Sequence, residues 1–212
     1  SQVLASDLEA LLQGNNVVIT TQNANGNGDG DITVSAAIEK TGGAGGTALT
    51  MSAERNITVN ARIGSDDAVR PLSVGLSAAN DVTVNAAVET RGGMFSAAAG
   101  NNVVVGATGN ISTEGGAIQI SADTDGNANG WSDGSGLFRV ANGGLVSSGG
   151  GDIRVESLGT DILGPSLTSV VVDGGAGNVY FDRRGAYTTS HRIHMSKRGS
   201  IGIQNGNYYA WY

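Results

Sequence analysis

The stretch DGNANGWSDGSG, Asp125 to Gly136, sets Asp125, Asn127, Asn129, Gly130 and Asp133 at positions 1, 3, 5, 6 and 9 of an EF-hand-like loop. Alternating side-chain oxygens at that spacing wrap a hard cation, and the glycine supplies the sharp turn. Gly136 holds the twelfth position, where such loops carry a bidentate carboxylate. The spacing therefore implies no more than a weak structural Ca2+ site with Asp125, Asn127, Asn129 and Asp133 as ligands, and no other cofactor. NANGNGDGD repeats the idea with Asn23, Asn25, Asn27, Gly28 and Asp31 and still less charge. Asn, Asp and Gly also build tight turns, which explains both stretches without a metal.

Catalytic constellations are thinner. Asp66, Asp67 and Arg70 share one loop, and polysaccharide hydrolysis needs paired carboxylates. No second carboxylate cluster recurs one repeat away, so solvated loop charges account for the three. His191 and His194 stand three apart in HRIH, without the acidic residue and second histidine of a zinc-protease helix. A surface or interface role suits them better. With no cysteine there is neither a disulfide framework nor thiol chemistry. No residue is assigned a catalytic role, and the expectation is a protein that is not an enzyme.

Residues 180–212 differ in kind from the rest. They hold seven of the ten aromatic residues, Tyr180, Phe181, Tyr187, Tyr208, Tyr209, Trp211 and Tyr212, with five of the twelve basic residues and one of the nineteen acidic ones. Seven basic against eighteen acidic residues leave 1–179 at −11, whereas 180–212 stands at +4. Tyr, Trp and Arg are enriched where proteins meet. Tyr180, Arg183, Arg184, Tyr187, Arg192, Tyr208, Tyr209, Trp211 and Tyr212 are therefore candidate contact residues. Three roles fit them: a cap on the last repeat, a docking element for the acidic part of another copy, or an aromatic platform for carbohydrate. Residues 1–179 lack the basic groove of a nucleic-acid binder.

What positions these residues is legible as repetition. Gly at 35 of 212 residues with two prolines excludes collagen and a helical bundle. DITV (Asp31), NITV (Asn56), DVTV (Asp81), NVVV (Asn102), DIRV (Asp152) and NVYF (Asn178) recur at 25, 25, 21, 50 and 26 residues, the 50 read as two periods. Leu49, Leu72, Phe95 and Ile118 form a second series at intervals of 23. Such repeats, made of short strands and Gly, Asn and Asp turns, bury nothing alone but share one core when stacked. The expectation is an all-β parallel β-helix of about seven to eight coils. A period of two sends Ile57, Val59, Ile32, Val34, Val82 and Val84 inward. The Asn and Asp before each strand, with Asn60 and Asn85, would stack as amide ladders. Thr33, Thr58 and Thr83 form an outward column that breaks at Val104, Arg154 and Tyr180.

Seven or eight rungs at about 4.8 Å make a rod on the order of 35–40 Å long, with strand edges exposed at its ends. SDLEALLQG suits a helix over one of them. Ser6 and Glu9 read as a capping box, Leu4, Leu8, Leu11 and Leu12 as an apolar stripe, and Gly14 as the stop. The organisation is then 1–14 helical cap or linker, 15–179 β-helix repeats, and 180–212 C-terminal cap or docking segment. SQVLASDLEALL and NYYAWY carry no signal, anchor or lipidation motif. They fit a mature product or a piece of a longer chain.

The pattern SDLEALLQGNNVVITT, GDITVSAAI, NITVNARI, DVTVNAAV and IQISADTDGNANG resembles the repeat shafts of filamentous-haemagglutinin-like exoproteins of the two-partner secretion pathway, over roughly residues 4–180. An NPNG-type secretion signature is missing. The resemblance implies a right-handed β-helix, secreted to the surface of a Gram-negative cell, acting in adhesion, aggregation or biofilm. Open rod ends and the oppositely charged segment 180–212 favour self-association into an oligomer or filament, with contact to a glycan or other surface as the alternative, and without nucleic acid or membrane insertion. The absence of cysteine fits a chain that crosses a membrane unfolded. Residues 180–212 have no counterpart in the family.

Overall fold

Alternating apolar and polar residues turn each repeat into short strands, and stacking buries the inward half of each strand. The computed structural model describes residues 2–21, 30–126, 135–162, 170–183, 192–195, 200–202 and 208–210. They form one helix, α1 (Ala5–Leu12), and strands laid down three to a turn. The first turn holds β1 (Val17–Thr20), β2 (Ile32–Val34) and β3 (Ile38–Lys40); the second holds β4 (Thr47–Ala53), β5 (Ile57–Val59) and β6 (Ile63–Ser65). Next come β7 (Leu72–Ala78), β8 (Val82–Val84) and β9 (Ala87–Glu89), then β10 (Phe95–Ala99), β11 (Val103–Val105) and β12 (Asn110–Ser112). β13 (Ile118–Ser121), β14 (Leu137–Val140) and β15 (Leu145–Ser147) precede β16 (Ile153–Ser157), β17 (Gly159–Ile162) and β18 (Val170–Asp173). The last strands are β19 (Val179–Arg183), β20 (Arg192–Met195), β21 (Ser200–Gly202) and β22 (Tyr208–Ala210).

Sheet A runs β1-β4-β7-β10-β13-β16-β19-β22, sheet B β2-β5-β8-β11-β14-β17-β20, and sheet C β3-β6-β9-β12-β15-β18-β21. Every neighbouring pair is parallel. The described residues thus form a parallel β-solenoid, nearly all β, with one short helix. The expected count of seven to eight coils is corrected to about five full turns. Five turns, from β4–β6 through β16–β18, have a paired neighbour on both sides in all three sheets. The remaining strands extend the ladders at the ends, and counting repeats in the sequence counts those end pieces as turns.

The core is a stack of inward columns. In sheet B, Ile32, Ile57 and Val82 lie in register, as do Val34, Val59 and Val84. Ile57, Val59, Val82 and Val84 are fully buried, while Ile32, on the end turn, is half-buried. Phe95, Phe138 and Phe181 fill the same interior, each contributing up to about 3 kcal/mol. Phe181 therefore packs inward, consistent with its absence from the candidate contact residues.

Two alignments made from the sequence are corrected by the register. DIRV and NVYF belong to sheet A, where Ile153 pairs with Ile118 and Val179 with Ile153. DITV, NITV, DVTV and NVVV belong to sheet B, whose next rung is Leu137–Val140. The 50-residue interval is thus a change of sheet. In the second series Leu49 stacks on Val74, and Leu72 on Thr47, two residues out of step. The outward threonine column is Thr33, Thr58 and Thr83, followed by Val104, Arg139 and Asp161. Arg154 and Tyr180 belong to another sheet.

Helix α1 lies over the N-terminal end and buries Leu8 and Leu12, while Leu4 and Leu11 stay exposed. The expected capping box does not form. The N-cap is Leu4, with no side-chain cap bond, and Glu9 turns instead to the solenoid. The helix stops where expected, with Gly14 and Asn15 donating their N–H groups to Leu11 O at 3.3 and 3.0 Å.

Candidate assembly and contact surfaces

Three places in the fold concentrate polar chemistry: the corner between sheets A and B, the C-terminal end strands, and the edge beneath α1. At the first corner, Asp31, Asn56, Asp81 and Asn102 sit immediately before β2, β5, β8 and β11, so their side chains reach the next turn. Asn56 donates its backbone N–H and its side-chain amide to Asp31 Oδ1, both at 3.0 Å. Asn80 donates to Asn56 Oδ1 at 2.8 Å, Asn102 N–H to Asp81 Oδ1 at 3.0 Å, and Leu137 N–H to Asn102 Oδ1 at 3.0 Å. The stack between Asn60 and Asn85 is also present, at 3.0 Å. Arg55 pairs with Asp31, and this bond, with the Asn56 donors and against the effect of burial, holds the carboxyl down at about 2.

A shallow groove follows this corner, lined by Thr20, Ser52, Glu54, Ser77, Ala79 and Thr124. The two glycine-rich stretches both connect sheet A to sheet B here, one between β1 and β2 and the other between β13 and β14. Of the four proposed calcium ligands, Asp125 is described and exposed; Asn127, Asn129 and Asp133 lie outside the described residues, as do Asn23, Asn25 and Asn27. Among the described residues no three His, Cys, Asp or Glu side chains gather in a metal-holding group. Asp66, Asp67 and Arg70 meet within their loop, Arg70 donating to Asp67 at 3.3 Å and to Asp66 at 3.4 Å.

At the far end, residues 180–212 supply strands that continue the ladders: β19 on β16, β20 on β17, β21 on β18 and β22 on β19. Arg154, Tyr180 and Tyr209 are successive register partners in sheet A. The Arg154 guanidinium lies 5.7 Å from the Tyr180 ring centre and bonds Asp182 at 2.7 Å. Arg183 ends β19, Arg192 begins β20, and Tyr208 and Tyr209 form β22. His194 pairs in register with Asp161. Arg184, Tyr187, Trp211, Tyr212 and His191 lie outside the described residues.

The third place was not anticipated from the sequence. Lys40 is fully buried, and its ammonium donates to Leu12 O at 2.8 Å and Gly42 O at 3.2 Å. Thr47 Oγ1 donates to the same Leu12 carbonyl at 3.0 Å. A cation at a helix C-terminus is favoured by the helix dipole. Burial nevertheless pushes the Lys40 pKa below that of an ordinary lysine; the Arg70 charge adds to this and Asp66 opposes it. Lys40 begins a buried polar column at the exit of sheet C, continued by Ser65, Thr90, Thr113 and Ser148. Their hydroxyls bond backbone carbonyls, such as Ser65 Oγ to Arg70 O at 2.7 Å and Ser148 Oγ to Gly174 O at 3.0 Å.

Beside it, Arg62 lies across Gly64 and clasps Glu39 one turn before and Glu89 one turn after, the latter at 2.7 Å. The Glu39 hydrogen bond is the main influence raising its pKa above the ordinary arginine value. The sequence signal for this clasp is the column Glu39, Gly64, Glu89, in which the missing side chain makes room for the guanidinium. Among the described residues no helix is long and apolar enough to cross a membrane. No family model, curated protein or solved structure matches the chain, so the functional reading rests on this geometry.

Proposed function

We propose that the chain is a structural protein without catalytic function, a right-handed β-solenoid rod of a secreted or cell-surface adhesin or fibre, similar in kind to filamentous-haemagglutinin-like shafts. The right hand follows from the strong chiral preference of parallel crossover connections. The observation that supports the reading is the continuous parallel ladder, whose two terminal segments carry opposite net charge. Residues 1–40, through the end of β3, hold five acidic residues and one basic, a net −4, against +4 in 180–212. A heterologous contact of one end with the other does not close, and a contact that does not close builds a filament. In this reading the solenoid is the scaffold and Tyr180, Arg183, Arg184, Tyr187, Arg192, Tyr208, Tyr209, Trp211 and Tyr212 make the contact.

A second reading, a glycan-binding adhesin tip, is favoured by the column that sets Tyr209 after Tyr180 and Arg154. Negative-stain electron microscopy of the purified chain, with calcium and with chelator, tests the first. Long fibres are expected, and their loss in chelator would assign the Asp125 loop to a metal. Isolated short rods at every concentration, together with glycan-array binding by the monomer, would overturn the first reading for the second.

A further inference from the structure

The first turn presents strand edges, and sheet C's edge is covered by a helix in place of a strand. In the ladder the Ile38 N–H bonds forward to Arg62 O at 2.9 Å, so the next N–H, of Glu39, points back out of the solenoid. There it donates to Glu9 Oε1 of α1 at 3.0 Å. Glu9 thus stands where a preceding strand would offer a carbonyl. The other end of the helix is held by Lys40 and Thr47 through Leu12 O. Gly43, at φ +76°, lies so close to Gln13 O that an added Cβ would collide with it. Leu8 and Leu12 are the buried apolar contacts of the helix, and Val3, Leu4 and Leu11 remain exposed.

We infer that α1 is a displaceable guard on the β3 edge, and that the partner admitted when it lifts is the opposite end of a second copy. The inference rests on the assembly reading above. An identical solenoid offers strands of the same spacing and parallel sense in three sheets at once, which few other partners do. Charge favours it as well, because the net −4 of residues 1–40 would meet the +4 segment 180–212. The guard is small: one short helix, two leucines and a few hydrogen bonds hold it. The five interior turns are locked by three sheets. Lifting α1 therefore leaves the solenoid itself intact and uncovers a strand edge, which templates pairing.

The test follows Glu39 amide exchange by mass spectrometry and assembly by light scattering on the full-length chain. Two variants loosen the guard from opposite sides, Glu9→Ala at its strand-mimicking bond and Gly43→Ala at its C-terminal seat. Asn85→Ala serves as a variant that loosens the solenoid away from that edge. Losing a charge-assisted bond is expected to raise Glu39 exchange about tenfold or more. The initial assembly rate should rise in step in both guard variants and stay at the wild-type value in Asn85→Ala. Equal assembly rates despite faster Glu39 exchange would overturn the guard and leave head-to-tail assembly standing. Equal acceleration in Asn85→Ala would also overturn it, since general loosening would then suffice. Freely exchanging Glu39 with no assembly in any variant would overturn both.

Discussion

Asn80 donates its side-chain amide to the side-chain carbonyl of Asn56, one turn away, at 2.8 Å. The same oxygen accepts the Asp81 backbone N–H at 3.2 Å, and the Asn56 amide donates onward to Asp31 at 3.0 Å. One side chain therefore joins three turns. Asn56→Ala removes these bonds at a partly buried corner, and at roughly 1 kcal/mol each it should cost about 2–3 kcal/mol. Urea unfolding is expected to show a lower midpoint with an unchanged slope. An unchanged midpoint would mean that water replaces the ladder at no cost.

Glycines at the opposite corner act by close approach. Gly93, Gly116, Gly151 and Gly177 each precede a sheet A strand, and a Cβ on any of the last three would collide with the carbonyl of the glycine one turn before. Gly116→Ala should cost at least about 3 kcal/mol, because the obstacle is backbone that neighbouring turns hold in place. Gly115 is the contrast. It has φ +109° and open space around an added Cβ, so Gly115→Ala should cost only about 1–2 kcal/mol of backbone strain. Thermal unfolding of the pair separates sterics from conformation, and equal losses would refute the stacked-glycine account.

These corners also explain how far the sequence could be read. A period of two located most strands and their buried residues, because one face of each strand is inside. It could not say which sheet a strand joins. The Asp31 carboxylate receives the Asn56 N–H at the corner entering sheet B, and Asp152 receives the Asn178 N–H at 2.8 Å at the corner entering sheet A. Two corners with the same chemistry give one motif in the sequence, so DIRV was aligned with the wrong strands. The Leu72 slip has a similar origin, since inward residues recur every second position along β4 and β7 and a shift of two keeps the pattern. Lys40 was silent because its partners, Leu12 and Gly42, are backbone carbonyls, and one of them lies in another element. The segment 180–212 stood out by composition, but composition does not reveal that its strands continue the ladders.

Acid should weaken the Asp31 corner. Arg55 and the Asn56 donors hold the Asp31 carboxyl at about 2, below its ordinary 3.8. Between those values the unfolded chain binds the proton more strongly than the folded one. The stabilisation is therefore complete above 3.8 and lost as pH falls through about 2. Melting temperatures followed from about pH 5 to about pH 2 should fall more steeply for the wild type than for Asp31→Asn, which has no carboxylate to protonate at this site. Parallel curves would show that the ion pair contributes nothing in solution.

Lys40 makes the opposite end of the pH scale informative. Its folded-state pKa lies below 10.5, chiefly because burial disfavours the ammonium. The unfolded chain therefore holds that proton to higher pH, and this group's contribution to stability rises with pH up to about 10.5. Leu12 O and Gly42 O accept hydrogen bonds from the ammonium. Lys40→Met removes the desolvation cost and the bonds together. Replacing a buried charge with an apolar side chain of similar length is often close to neutral, and Thr47 still serves the Leu12 carbonyl. The variant should thus match the wild type within about 1 kcal/mol at pH 7, yet lack the wild type's gain in stability on the alkaline side. Chemical unfolding at several pH values up to about 10.5 measures both. If the variant instead loses several kcal/mol at pH 7 while Glu39 stays protected from exchange, the ammonium supports the solenoid itself rather than the seat of α1.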